Sequence, residues 1–136
     1  MASESAGEIH RGHCLCGAVS FAVSGALSEV CVCHCTQCRR HTGHMLATTN
    51  VAVADLVIEW VEKVGWYRSS DLAERGFCGT CGSVLFWRRI ASDRIAIAMG
   101  SFEGPTGTHV GGHIFAADKG DYYDIADGAP VHPGDG

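Results

Sequence analysis

Eight cysteines in three groups constrain this chain more than any other feature of its sequence. The densest group lies in CVCHCTQCRRHTG, residues 31–43, together with two histidines and two arginines. Cysteines at this density form disulfides, a metal site or a redox device. The first residues, MASESAGEIHRG, lack the apolar core of a secretion signal. We therefore expect a cytoplasmic protein that uses its cysteines for metal binding or catalysis rather than for disulfides.

The two outer groups predict one structural zinc site. A C-x-C pair on a strand directs both sulfurs to the same side. The segment FCGTCGS is a C-x-x-C turn whose glycines let backbone N–H groups approach sulfur. Two ligands cannot complete a tetrahedral zinc site, whereas four can. The alternative is a pair of separate redox motifs. The predicted ligands are Cys14, Cys16, Cys78 and Cys81.

The middle group leaves two possibilities open. It consists of Cys31, Cys33, Cys35 and Cys38. If all four bind one zinc, the site is closed and structural. If one of them stays away, the metal keeps an exchangeable position, as a catalytic zinc does. Alternate residues of a strand share a face, so a closed site is geometrically possible and the spacing alone does not decide.

Length and charge bound the remaining possibilities. The 136 residues, 46% hydrophobic and 18% charged, fit one globular domain. The formal net charge of −5, without a basic cluster, argues against nucleic acid and anionic lipid as partners. No apolar run approaches the roughly 18 residues of a membrane helix. We expect a flexible leader over 1–11, one domain over 12–131 and an extended or frayed tail over 132–136; the oligomeric state is left open.

Hydrophobic patterning predicts a mainly β domain with short helical turns. Val19, Phe21 and Val23 alternate with small or polar residues and predict one buried strand face. Glycines punctuate the other apolar runs, as they do between short strands. Further strands are predicted within residues 55–70, 83–89, 94–102 and 111–125, and helical turns within 36–41 and 70–76.

Four motifs place the cysteines in a known pattern. They are HCLCGAVSF, CHCTQCRRHTG, RGFCGTCGSVLFW and IAIAMGSFEG. In their order and approximate spacing the chain resembles the glutathione-dependent formaldehyde-activating enzyme (GFA) family, also called the centromere protein V/GFA domain, over roughly residues 12–131. The resemblance implies a single-domain, all-β, Mss4-like fold whose coiled sheets are stapled by two zinc ions.

The resemblance also implies roles for the cysteines. The structural zinc of the family matches the four outer cysteines, and its catalytic zinc matches Cys33, Cys35 and Cys38. Cys31 is left outside the ligand set, which favours the open site. The implied reaction forms or cleaves a carbon–sulfur bond in a thiol–aldehyde adduct, S-hydroxymethylglutathione, so the implied partner is a small, glutathione-like molecule.

The chain departs from the family pattern at two places, neither of which is a zinc ligand. Tyr122 and Tyr123 stand where family members often have a tryptophan. Phe102 and Glu103 stand in place of a frequent leucine-aspartate pair. Both departures could alter the substrate pocket, and we therefore leave the specific substrate open.

Two polar residues beside the middle cysteines are candidate catalytic residues. His34 lies between two ligands, but strand geometry directs its side chain away from them, so a packed histidine is favoured over a proton shuttle. Arg39 and Arg40 either offset the charge of a zinc–thiolate site, bind a substrate carboxylate, or form a solvated basic pair. Arg75 is expected to hydrogen-bond the C-x-x-C turn or to lie on the surface. The candidates are therefore His34 and Arg39, beside the three zinc-holding cysteines.

Three functions fit these observations. The first is a zinc-dependent carbon–sulfur lyase. The second is a zinc-stabilised protein-interaction module without catalysis. The third is a thiol redox sensor, in which Cys31 and a zinc ligand form a disulfide on oxidation and release the metal.

Overall fold

The computed structural model describes residues 7–136. Within them ten β-strands and one α-helix follow in chain order. The elements are β1 (Ile9–His13), β2 (Ser20–Ser24), β3 (Val30–Cys33), α1 (Thr36–Thr42), β4 (Leu46–Ala52), β5 (Leu56–Glu59), β6 (Val64–Arg68), β7 (Ala73–Cys78), β8 (Val84–Arg89), β9 (Arg94–Ala98) and β10 (Val110–Ile114). Short 3-10 turns lie at Val53–Asp55, Val61–Lys63, Met99–Ser101 and Ala116–Asp118. The predicted mainly β class and the helical turn at 36–41 are confirmed.

The strands form two sheets. The larger has seven strands in the order β10-β3-β4-β9-β8-β7-β6, and the smaller has three in the order β1-β2-β5. The strand pairs are antiparallel except β10 and β3, which are parallel. No helix within residues 7–136 combines the length and apolar character needed to cross a membrane.

The main core lies between β2 and the centre of the larger sheet. Val19, Phe21 and Val23 are at most 4% exposed, which confirms the alternation predicted for this strand. They belong to one buried cluster with Leu85 and Phe86 of β8 and with Ile95 and Ile97 of β9. The rings of Phe21 and Phe86 meet edge to face, with centroids 5.8 Å apart. Burial of these side chains holds the small sheet against the large one.

Two local predictions need correction. The helical turn expected at 70–76 is wrong, because from Ala73 onward the chain is strand β7, hydrogen-bonded to β6 on one side and β8 on the other. Pairing on both edges overrides local helical propensity. The expected leader is too long: residues 1–6 lie outside the described residues, but Ile9 to Arg11 pair with β2. Of the two alternatives for the tail, the structure has the extended one, because the carbonyls of His132 and Gly134 accept hydrogen bonds from Ala116 and Phe115.

Gly12 of β1 is expected to be intolerant of a side chain. A Cβ at this position would clash with the ring of Phe21 and lie 2.6 Å from the backbone oxygen of Ser101. We expect Gly12→Ala to lower the free energy of unfolding by about 1–3 kcal/mol, because a backbone oxygen cannot move aside easily. Urea unfolding measures this. Gly104→Ala is the control, since its Cβ meets no atom within 4 Å; equal stability of both variants would contradict the packing described.

Candidate metal centres and active site

The four outer cysteines converge in the structure. Their sulfurs all lie within 4.8 Å of one another. Cys14 and Cys16 follow β1, Cys78 ends β7, and Cys81 lies in the turn before β8. The Sγ atoms of Cys14 and Cys16 are 3.7 Å apart, and those of Cys16 and Cys78 are 3.9 Å apart. Tetrahedral zinc with Zn–S bonds of about 2.3 Å requires sulfurs about 3.8 Å apart, so this donor set fits the ion.

Backbone N–H groups surround these sulfurs, as the glycine-rich turn predicts. Val19 donates to the sulfur of Cys14 at 3.3 Å, and Ala18 donates to that of Cys16 at 3.4 Å. The sulfur of Cys78 accepts two hydrogen bonds from the turn that follows it, from the backbone N–H groups of Thr80 and Cys81, each 3.4 Å long. The Ser83 hydroxyl lowers the pKa of Cys81 to about 5. These dipoles favour the thiolate form that a metal needs.

Three of the four middle cysteines form a second cluster. The sulfurs of Cys33, Cys35 and Cys38 also lie within 4.8 Å of one another. Cys33 ends β3, Cys35 caps helix α1, and Cys38 lies in the first turn of that helix. The cap is a hydrogen bond from the Cys38 N–H to the Cys35 sulfur, 3.3 Å long. Helix formation therefore brings the last two sulfurs together, and the end of the strand supplies the first.

Cys31 does not belong to the second cluster. It lies two residues before Cys33 on β3 and is half-buried. Burial raises the pKa of its thiol. Strand β3 ends at Cys33 and the chain then enters α1. The strand alternation that would place Cys31 on the same face as the later cysteines therefore stops at Cys33. The geometry thus groups three sulfurs and leaves Cys31 apart.

A buried arginine lies against the second cluster. Arg75 of β7 is 4% exposed, and its Nη1 and Nη2 are each 3.6 Å from the sulfur of Cys38. A hydrogen bond from the Cys33 thiol, and then the Arg75 guanidinium, lower the pKa of Cys38 to about 6. Both expectations for Arg75 are wrong, because it neither bonds the C-x-x-C turn nor lies on the surface. No local pattern indicated this role, which depends on the placement of β7.

His34 is fully buried and does not face the cysteines. Its Nδ1 lies 2.6 Å from the hydroxyl of Tyr123, and its Nε2 lies 2.9 Å from Nδ1 of His113. His113 in turn bonds the Asp127 carboxylate through Nε2 at 2.8 Å. Burial, and then His113, lower the pKa of His34. With both imidazoles neutral, Tyr123 donates to His34, His34 to His113, and His113 to Asp127.

A cleft of about 280 Å³ lies along α1, which carries Cys38 and is capped by Cys35; none of the three cysteines is among its lining residues. Its lining is basic and polar: Thr36, Arg39, Arg40, Gly43, His44 and Tyr122. Arg39 is half-buried and donates from Nη1 to the carbonyl of Asp118 at 2.8 Å, whereas Arg40 is exposed. Nδ1 of His44 is hydrogen-bonded to the hydroxyl of Tyr122. The candidate Arg39 therefore lines the cleft, and His34 does not.

Comparison with known proteins agrees with this geometry. The family model for the glutathione-dependent formaldehyde-activating enzyme matches residues 9–118. The chain belongs to the GFA family. It is 30% identical over 118 residues to an uncharacterized lyase of Schizosaccharomyces pombe, covering 86% of this chain and 85% of that protein. A crystal structure of a Rhodobacter sphaeroides protein shares the fold, with a TM-score of 0.60 and 23% identity over 89% of this chain and 98% of the other.

This GFA protein thus has two cysteine clusters that could each hold a metal ion, at the positions indicated by the motifs. Its sequence did not indicate Arg75 as a neighbour of the second cluster, or Asp127 as a partner of His113. The hydrogen bond between His34 and His113 depends on the parallel pairing of β10 with β3, which brings together residues about 80 positions apart. Short motifs carry no signal for such a pairing.

Tyr123 is expected to stabilise this GFA domain through its hydroxyl. Tyr123→Phe removes the donor to His34 and leaves a buried nitrogen without its partner, so the free energy of unfolding should fall by about 1–3 kcal/mol. Urea unfolding of the metal-loaded protein measures the change. Tyr67→Phe is the matched control, because Tyr67 is 64% exposed; it should change stability by less than about 0.5 kcal/mol. Equal stability of both variants would show that the hydrogen bond between Tyr123 and His34 does not stabilise the fold.

Proposed function

We propose that this protein is a zinc-dependent carbon–sulfur lyase acting on the adduct of a small thiol and an aldehyde, such as S-hydroxymethylglutathione. Membership of the GFA family and the lyase name of the yeast relative support the reaction class. A cytoplasmic location, where thiols stay reduced, suits both cysteine clusters.

The difference between the two clusters is the observation that carries the proposal. Four sulfurs converge in the first cluster, which matches a closed structural zinc site, whereas three converge in the second. A zinc ion bound to three thiolates keeps a position for a substrate atom, where it acts as a Lewis acid and favours the deprotonated form of a bound thiol or hydroxyl. Cys33, Cys35 and Cys38 are the residues that would hold it.

The residues of the cleft bind and orient the substrate in this proposal. Arg40 is exposed and can pair with a substrate carboxylate. Arg39 is hydrogen-bonded to the Asp118 carbonyl and adds its positive charge to the cleft. Cleavage of the adduct removes a proton from its hydroxyl, breaks the carbon–sulfur bond and releases the aldehyde and a thiolate. His44 lines the cleft, and when the Tyr122 hydroxyl accepts from its Nδ1–H, Nε2 is free to accept that proton.

Exchange spectroscopy of thiol–formaldehyde mixtures tests the proposal. We expect the two-zinc protein to accelerate interconversion of glutathione, formaldehyde and their adduct. Cys35→Ser should retain one zinc per chain and lose about 100-fold or more in rate, since metal assistance supplies several kcal/mol. Cys31→Ser is the matched control and should retain two zincs and the rate. Two bound zincs without acceleration of any thiol–aldehyde adduct would overturn the lyase and favour the interaction module.

Arg40 is expected to select anionic substrates. Arg40→Gln should raise KM for the glutathione adduct roughly three- to tenfold, with kcat nearly unchanged, because an exposed charge pair contributes little more than about 1 kcal/mol. The adduct of uncharged 2-mercaptoethanol should show no such change. Arg89→Gln, at an exposed position on β8, is the control. An equal KM change for both adducts would contradict a charge-pairing role.

A further inference from the structure

No carboxylate accounts for the buried charge of Arg75. Within residues 7–136 no Asp or Glu forms an ion pair with it. Its terminal nitrogens face the sulfur of Cys38, and Nη2 also donates to Oε1 of Gln37 at 3.4 Å. Nε is buried without a partner. A buried guanidinium without an opposite charge is strongly unfavourable, so an anion must compensate it, and the thiolate of Cys38 is the group in place to do so.

The two cysteine clusters are neutralised in different ways. In the first, four backbone N–H groups donate to sulfur. In the second, the structure gives one backbone donor, the Cys38 N–H, together with the two guanidinium nitrogens of Arg75. A dication with four thiolates carries a net charge of −2, and one with three thiolates carries −1. Within residues 7–136 the second alone has a full positive charge buried beside it, that of Arg75, which brings its total to zero.

We propose that Arg75 is the counter-charge of the Cys33/Cys35/Cys38 site and gives its open position a preference for anionic ligands. The inference rests on the proposed function in assuming a metal at these cysteines. A thiolate entering the open position returns the site to −1 when Arg75 is present, but takes it to −2 when the arginine is absent. Arg75 contacts Cys38 and not the ligand, so it acts as a positioning residue.

Arg75 is suited to this role because its charge is permanent and its position is rigid. The guanidinium does not lose its proton at any pH that a folded protein tolerates. The residue lies in the middle of β7, between β6 and β8, and is paired opposite Tyr67 and Trp87. The charge therefore stays next to Cys38 whether or not a ligand is bound.

Ligand binding to the cobalt-substituted protein tests the inference without any thiol–aldehyde adduct. Azide serves as the anionic probe and imidazole as the neutral one, and the absorption bands of cobalt at the three-sulfur site report both. In Arg75→Gln we expect azide affinity to fall on the order of tenfold, since unit charges several ångströms apart near a protein surface still interact appreciably. Imidazole affinity should change less than about threefold, because a neutral ligand adds no charge.

Two controls keep the outcome specific. Arg75→Lys keeps the charge, so its azide-to-imidazole affinity ratio should stay within about threefold of that of the unmodified protein. If Arg75→Gln does not fold, Arg75→Lys is the variant that tests the inference. Loss of the preference for azide over imidazole in Arg75→Lys would overturn it. Arg89→Gln alters an exposed arginine of β8 and should leave both affinities unchanged. The cobalt spectrum of the four-sulfur site is an internal check of folding in every variant.

Failure of the inference and failure of the proposed function give different results. Equal loss of azide and imidazole affinity in Arg75→Gln, or no loss of either, overturns the role of Arg75 while lyase activity stands. Normal discrimination in a protein that cleaves no adduct refutes the lyase and supports Arg75. An unmodified protein whose cobalt spectrum responds to neither ligand has no open position, which overturns both.

Discussion

The convergence of Cys14, Cys16, Cys78 and Cys81 is the constraint on which the remaining structure depends. It joins the turn after β1, in the small sheet, to the end of β7 and the following turn, in the large sheet. The apolar core lies beside this junction and includes the buried side chains of two of these cysteines, Cys14 and Cys78. The zinc proposed for this cluster would crosslink the two sheets beside the core that packs them together.

One strand, β7, connects the two cysteine clusters. β7 ends at Cys78, a member of the first cluster, and carries Arg75 three residues earlier, against Cys38. Zinc bound at Cys78, as proposed, would fix the end of β7 and thereby restrain the backbone that carries the guanidinium. The two clusters are thus connected through β7 although they share no cysteine. Loss of the zinc proposed for the first cluster would loosen both the junction of the sheets and the buried charge beside the second cluster.

Local spacing was sufficient to predict the C-x-x-C turn and the closeness of Cys35 and Cys38, but it did not decide which middle cysteines group together; the resemblance to the family placed Cys31 outside the set. The C-x-x-C turn, and the cap of α1 by Cys35, are built from neighbouring residues whose geometry follows from their separation. The buried face of β2 was predictable for the same reason. Arg75 was not, since β7 exists as a strand only because β6 and β8 pair with both of its edges. The series of hydrogen bonds that runs from Tyr123 through the two histidines to Asp127 was not predictable either. It depends on β10, which is distant in sequence from its partner β3.

The two tyrosines that depart from the family pattern divide between two tasks, and this division indicates where specificity can change. Tyr123 points inward to His34 and supports the backbone between Cys33 and Cys35, so its contacts concern the shape of the second cluster. Tyr122 is 63% exposed, lines the cleft and bonds His44. A larger or less polar residue at position 122 would alter the space available to a substrate without disturbing the sulfurs. Differences in substrate among relatives with the same cysteines should therefore arise at the cleft wall rather than at the metal site.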